Sequence, residues 1–167
     1  AESGADEGLS GQTRYGMSDR AAMKSALREL FAGQRLAVLT TREEGGHPYA
    51  NLMAFAVSDD LKSLLLVTSR STRKYANLEA DPRVALLVDN RAHEASDIHE
   101  AMAVTVLGDA EEVAGAKRER LLRVYLEKHP HLEAFASAPS CALFQVHVRS
   151  YYLVRRFQEV MELHVER

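Results

Sequence analysis

The stretch TSRSTRKYANLEADPRVAL, residues 68–86, decides how this sequence is interpreted. It begins where a short apolar run ends, and it then opens a helix-like segment with two adjacent cations, Arg73 and Lys74. Three hydroxyl side chains stand beside these cations: Ser69, Ser71 and Thr72. A helix N-terminus carries unpaired N–H groups and a positive dipole end, so cations are disfavoured there unless an anion neutralises them. These groups together suit a phosphate monoester, although a solvated turn whose cations face water explains the same residues equally well on local chemistry alone.

On both sides of this stretch the chain is a series of short apolar runs separated by tight turns. The pattern predicts strands at 36–41, 49–57, 63–68, 84–88, 102–107, 142–148, 151–157 and 160–165. Helical spacing predicts helices at 19–33, with Asp19 as the N-cap, and at 72–80, 116–128 and 132–136. Because short strands dominate and helices are few, we expect a mainly β fold, an antiparallel barrel with peripheral helices.

Composition indicates the class of protein and of ligand. The 167 residues are 46% hydrophobic, which suits one domain with a packed core. Residues 1–17 hold hardly any large apolar side chain, so we expect a flexible N-terminal segment followed by a single domain at 18–167. With a formal net charge of −3 and no apolar stretch near the ~20 residues that span a bilayer, we expect a small-molecule ligand and neither nucleic acid nor membrane as a partner.

Three further features bear on partners and location. The clusters Leu64-Leu65-Leu66 and Ala85-Leu86-Leu87 lack alternation, so both faces of these strands are covered, by the barrel interior and by a helix or a second subunit. This favours a dimer. The single cysteine, Cys141, argues against a disulfide framework and suits a reducing cytoplasm. His93 and His99 are six residues apart, whereas a shared helical face needs three or four, so no metal site is expected.

The run 68–86 resembles the phosphate-binding segment of the pyridoxamine 5′-phosphate oxidase-like FMN-binding split barrels. The matching positions are Thr68, Thr72, Arg73, Lys74, Leu78 and Asp81-Pro82. The segment Gly46-His47-Pro48-Tyr49-Ala50-Asn51 is similar to the strand that borders the flavin in that family. With the order of elements, the resemblance covers roughly residues 30–157.

This resemblance implies a six-stranded antiparallel split β-barrel that forms a homodimer with two equivalent FMN sites at its interface. Arg73 and Lys74 would bind the phosphate, with the hydroxyls of Ser69 and Thr72. The remaining cofactor-binding positions that the resemblance implies are Val67 and Thr68 along the ribityl chain or ring edge, and Asn51, Met53 and Ala54 along the isoalloxazine. The function implied is that of a flavoprotein oxidoreductase.

The sequence departs from the pyridoxamine phosphate oxidases proper at their substrate-binding positions. Those enzymes carry Arg where this chain has Asn51, Gln where it has Ala103, and Arg-x-His near the C-terminus where it has Glu162-Leu163-His164. We therefore do not expect oxidation of pyridoxamine phosphate, and no residue is identified as a general acid or base. Three functions stay open: an FMN-dependent oxidoreductase acting on an unidentified small molecule, a non-enzymatic flavin or haem carrier or sensor, and a deazaflavin-dependent reductase on the same barrel.

Overall fold

Seven strands form one antiparallel sheet in the computed structural model, which describes residues 17–156 and 159–166. The strands are β1 (Leu36–Arg42), β2 (Pro48–Val57), β3 (Ser63–Ser69), β4 (Arg83–Asp89), β5 (Ala103–Val113), β6 (Cys141–Arg155) and β7 (Glu159–His164). Their order is β3-β2-β1-β4-β5-β6-β7, and β3 also pairs with β6. This last pairing closes the first six strands into a barrel and confirms the predicted six-stranded antiparallel split barrel.

Strand β6 organises the barrel because it pairs with three others. Its residues 141–147 pair with β3 and its residues 150–155 pair with β7, while β5 lies along the opposite edge. The sequence predicted two strands here, at 142–148 and 151–157, and this was wrong for the described residues, since one strand runs from Cys141 to Arg155. The register shifts opposite Leu107 and Gly108, and inward-facing side chains change from even to odd positions there. Because the alternation of buried and exposed positions is interrupted there, the sequence pattern suggests that one strand ends and another begins.

The helices are α1 (Met17–Gly33), α2 (Arg73–Ala80), α3 (Asp97–Glu100), α4 (Gly115–Lys128) and α5 (Glu133–Ala136), with a 3₁₀ turn at Pro130–Leu132. Asp19 lies in the first turn of α1 and not at its N-cap, which corrects the sequence prediction. The short α3 was not predicted. Strand β5 extends beyond the predicted end at 107 to Val113, and the charged residues around the buried Ala110 and Val113 hid this part of the strand in the sequence. None of the described helices combines the length and apolarity needed to cross a membrane.

Two apolar clusters stabilise the structure. The larger fills the barrel and includes the buried face of α1, residues Met23, Leu27, Leu30 and Phe31. The smaller lies on the outer face of the wall beneath α4, where Tyr125 is buried. Leu64 and Leu66 belong to the first cluster and Leu65 to the second, so α4 supplies the cover expected for the outer face of β3.

Candidate functional site

The β3–α2 junction, residues 67–75, has a fixed backbone because Thr72 caps α2. Thr72 Oγ1 accepts a hydrogen bond from the N–H of Tyr75 at 3.3 Å and donates to the carbonyl of Ser69 at 2.9 Å. Thr68 Oγ1 lies 3.0 Å from the same hydroxyl. The helix predicted at 72–80 is confirmed at Arg73–Ala80, with Thr72 as its N-cap.

The first turn of α2 contains backbone N–H groups that have no hydrogen-bond acceptor among the described residues. The N–H groups of Arg73 and Lys74 precede the first helical hydrogen bond, and no described residue provides an acceptor for them. Lys74 is half-buried as a residue, and no carboxylate among residues 17–156 and 159–166 lies within ion-pair distance of its ammonium. These groups create a local positive field without a matching anion.

Arg73 is only loosely held. Its side chain is 65% exposed, its Nη1 lies 3.8 Å from a Glu43 carboxylate oxygen, and its guanidinium carbon lies 5.3 Å from the centre of the Tyr49 ring. An exposed ion pair at this distance contributes roughly 0–1 kcal/mol, so Arg73 can turn towards a ligand at little cost. Sequence reasoning missed Glu43 and Tyr49 as partners, although Tyr49 stands inside the strand-opening segment at 46–51.

In the single chain the junction is exposed at Arg70, Ser71 and Arg73. Three cavities lie elsewhere: two near Lys62 and Glu166, and one of about 560 Å³ between α1 and α4. No residue from 67 to 75 lines any of these three cavities.

Strand β2 presents the other predicted residues on two faces. Asn51 and Met53 point inwards, and Met53 is buried in the barrel core. The Oδ1 atom of Asn51 is buried without a hydrogen-bond partner among the described residues. Ala54 lies on the outer face, as does Val67 of β3, and both pack into the smaller cluster. The structure thus brings Ala54 and Val67 to one side of the wall and separates them from Asn51 and Met53.

Behind the junction lies a polar cluster that sequence reasoning missed. Arg70 forms an ion pair with Glu112 of β5 and donates to the Tyr75 hydroxyl at 2.9 Å. Burial and hydrogen bonds to the carboxylates of Glu79 and Glu112 raise the pKa of Tyr75, and the Glu112 carboxylate raises the pKa of Arg70. No local signal identifies Glu112, because it reaches the junction only through the pairing of β5 with β6.

The chain is similar to known proteins in sequence pattern and in fold. The family model described as pyridoxamine 5′-phosphate oxidase matches residues 23–155. No curated protein matches the chain significantly in sequence. A heme binding protein from Mycobacterium smegmatis has a TM-score of 0.76 and 17% identity, over 84% of this chain and 57% of that chain.

Two other solved structures are similar over most of their length. A protein related to general stress protein 26, of the pyridoxinephosphate oxidase family, from Clostridium acetobutylicum has a TM-score of 0.67 and 17% identity, over 86% of this chain and 95% of that chain. A FAD-binding protein from Mesorhizobium loti has a TM-score of 0.60 and 20% identity, over 77% of this chain and 90% of that chain. At these identities the likeness concerns the fold alone. This chain spans little more than half of the Mycobacterium smegmatis protein.

The family model covers far more than half of the residues, and the closed barrel agrees with it. The chain belongs to the pyridoxamine 5′-phosphate oxidase-like split-barrel family.

Proposed function

We propose that this chain is an FMN-binding flavoprotein, an oxidoreductase acting on a small molecule, and that it works as a homodimer with its cofactor sites at the subunit interface. The observation that carries the proposal is the first turn of α2, where Arg73 and the half-buried Lys74 accompany two N–H groups without acceptors. A phosphate dianion supplies the charge and the acceptor oxygens that this turn lacks.

The hydroxyls at the junction suit the same ligand. Thr72 already uses its hydroxyl to cap α2, so its part is to hold the turn in place. The Ser69 and Ser71 hydroxyls form a hydrogen bond with each other at 2.9 Å, which leaves one of the two hydroxyl hydrogens to donate to a phosphate oxygen. The residues expected to hold the phosphate are therefore Ser69, Arg73 and Lys74, with Thr72 and Thr68 fixing their backbone.

We expect the ring system of the cofactor to lie along β2. Leaving the buried Oδ1 of Asn51 without a partner costs about 1–3 kcal/mol, and an N–H of a bound ring would remove that cost. Ala54 and Val67 lie on the other face of the wall, where both pack into the smaller cluster. When bound, a flavin supplies hydride or electron transfer, while the protein binds and orients it. The catalytic residue stays unassigned.

The substrate is expected to differ from pyridoxamine phosphate. Asn51 and Ala103 cannot provide the charged and amide groups that the oxidases proper place there. His164 contacts Ser150 at 2.9 Å and Glu162 at 2.7 Å, so its imidazole is engaged at the surface of β7. The buried free Cys141 agrees with work in a reducing cytoplasm.

The homodimer is supported by an apolar surface, which we call the outer apolar face: Leu36, Val38, Leu52, Leu87 and Leu107. Val38 pairs with Leu52 on one side and with Leu87 on the other, so these three side chains form a continuous row across β2, β1 and β4. Contiguous exposed apolar surface of this kind marks association sites. A second subunit on this face would cover Leu52, the neighbour in sequence of Asn51 and Met53.

A haem carrier or sensor is the second candidate, because the heme binding protein from Mycobacterium smegmatis has the same fold and the oxidase substrate residues are missing here. The two candidates predict different chromophores. Denaturing the purified protein and identifying the released chromophore by absorbance and mass separates FMN, deazaflavin and haem.

The test of the proposal is an FMN titration of the wild type, the double variant R73A/K74A and the control R91A. Arg91 is an exposed Arg paired with Asp89 at the far end of β4. We expect the double variant to lose FMN and the control to keep it. The proposal is contradicted if the wild type does not bind added FMN, or if the double variant binds FMN as tightly as the wild type. Reduction of the bound flavin by NADH or NADPH then separates an enzyme from a carrier.

A further inference from the structure

Three side chains at the β3–α2 junction are joined by an ion pair and hydrogen bonds, and we call them the bracing cluster: Arg70, Tyr75 and Glu112. Arg70 Nη1 forms an ion pair with Glu112 and donates to the Tyr75 hydroxyl at 2.9 Å. The Tyr75 hydroxyl lies 3.0 Å from a Glu112 oxygen and 3.0 Å from a Glu79 oxygen. The guanidinium carbon of Arg70 also lies 5.5 Å from the centre of the Tyr75 ring. Each member contacts both others.

The cluster joins three elements that are separate in sequence. Arg70 belongs to the turn between β3 and α2, Tyr75 to the first turn of α2, and Glu112 to β5. The Tyr75 ring packs edge-on against Phe144 of β6 at 5.8 Å, so the helix is fixed to the barrel wall on this side. The N–H of Tyr75 donates to the Thr72 hydroxyl, so a displacement of Tyr75 would also displace or break this capping hydrogen bond.

The ion pair within the cluster also determines which cations of the junction are left to bind an anionic ligand. Three cations stand in this short segment, and only Arg70 is committed to a carboxylate by a close ion pair. Arg73 has a partner at 3.8 Å, and Lys74 has no ion pair among the described residues. Glu112 therefore neutralises the charge of Arg70. The other two keep their charge for an anion.

We propose that Arg70, Tyr75 and Glu112 are positioning residues that hold the phosphate-binding turn in shape and so make the site selective for FMN over riboflavin. The inference rests on the proposed function. A preformed turn binds its ligand without the cost of ordering loose side chains and backbone. Because the cluster supports only the phosphate end, its loss should affect FMN and leave riboflavin unchanged.

Glu112→Gln separates positioning from simple charge. The substitution removes a negative charge close to the phosphate, so charge alone predicts tighter FMN binding. Loss of positioning predicts weaker binding, by about three- to tenfold for one partly exposed ion pair and its hydrogen bond. Glu111→Gln is the matched control, since Glu111 is the next residue on β5 and contacts His147 and Lys117 instead of the junction.

The experiment measures FMN and riboflavin dissociation constants by flavin fluorescence for the wild type, E112Q, Y75F and E111Q. We expect E112Q and Y75F to weaken FMN binding with riboflavin binding unchanged, and E111Q to leave the ratio of the two constants as in the wild type. Equal weakening of both flavins, or tighter FMN binding in E112Q, would overturn the inference while leaving the proposed function intact. A wild type that binds neither flavin refutes both.

Discussion

We expect Leu52→Ala to weaken self-association more than the truncation to Ala of any exposed side chain elsewhere on the barrel. Leu52 is 65% exposed in the single chain and stands in the row with Val38 and Leu87. Full burial of a leucine contributes about 1.5–3 kcal/mol, so about 1–2 kcal/mol of this remains to be gained at an interface. A two-fold dimer repeats the substitution, which doubles the loss to about 2–4 kcal/mol. The dimer dissociation constant should rise by about 30- to 1,000-fold.

Sedimentation velocity over a concentration series measures this constant directly. Phe135→Ala is the matched control, because Phe135 is 45% exposed on α5, outside the outer apolar face. FMN affinity should fall with dimer dissociation in L52A and stay constant in F135A. An unchanged dimer constant in L52A, or the same loss in F135A, refutes the assignment of the interface to β2, β1 and β4.

Three further substitutions test the local structure. Thr72→Ala removes the acceptor for the Tyr75 N–H and should cost about 1 kcal/mol in urea denaturation, with weaker FMN binding; unchanged stability would contradict the role of the cap. Gly108→Ala should destabilise the fold by at least about 1–3 kcal/mol, because its Cβ would lie 2.5 Å from the carbonyl oxygen of His147; a stable variant would show that the bulge can relax. Burial lowers the pKa of Lys128 from 10.5 to about 8, so the unfolded state binds more protons between these values and wild-type stability should gain a component that rises with pH there. Urea denaturation across that range should show this component reduced in Lys128→Met, and an identical pH dependence in both proteins would exclude it.

The sequence predicted the parts of the molecule that depend on neighbouring residues. Thr72 caps a helix that begins at the next residue, so hydroxyl, cations and helix start could be recognised together. The strands β1 to β4 were placed close to their observed bounds because Gly, Pro and acidic residues mark the turns between them. The family resemblance rested on the same local segment and is confirmed.

The parts that sequence reasoning missed depend on tertiary contacts. Glu112 reaches Arg70 only after β5 pairs with β6, and nothing near either residue in the chain indicates the contact. The outer apolar face follows from register, since Val38 and Leu87 become neighbours through strand pairing alone. The bulge beside Gly108 hid the continuity of β6, because a single extra residue reverses which side chains point inwards. The predicted cofactor contacts on β2 stay a prediction.

Closure of the barrel by β3 and β6 has a consequence for biosynthesis. Strand β3 carries Leu64, Leu65 and Leu66 and pairs with β2 on one edge only until β6 is available. On the ribosome that second edge stays unpaired until residues 141–147 have emerged. An open apolar strand edge invites pairing with other nascent chains. Chains that stop before Cys141 should therefore accumulate as insoluble material, while chains that include β6 should stay in solution.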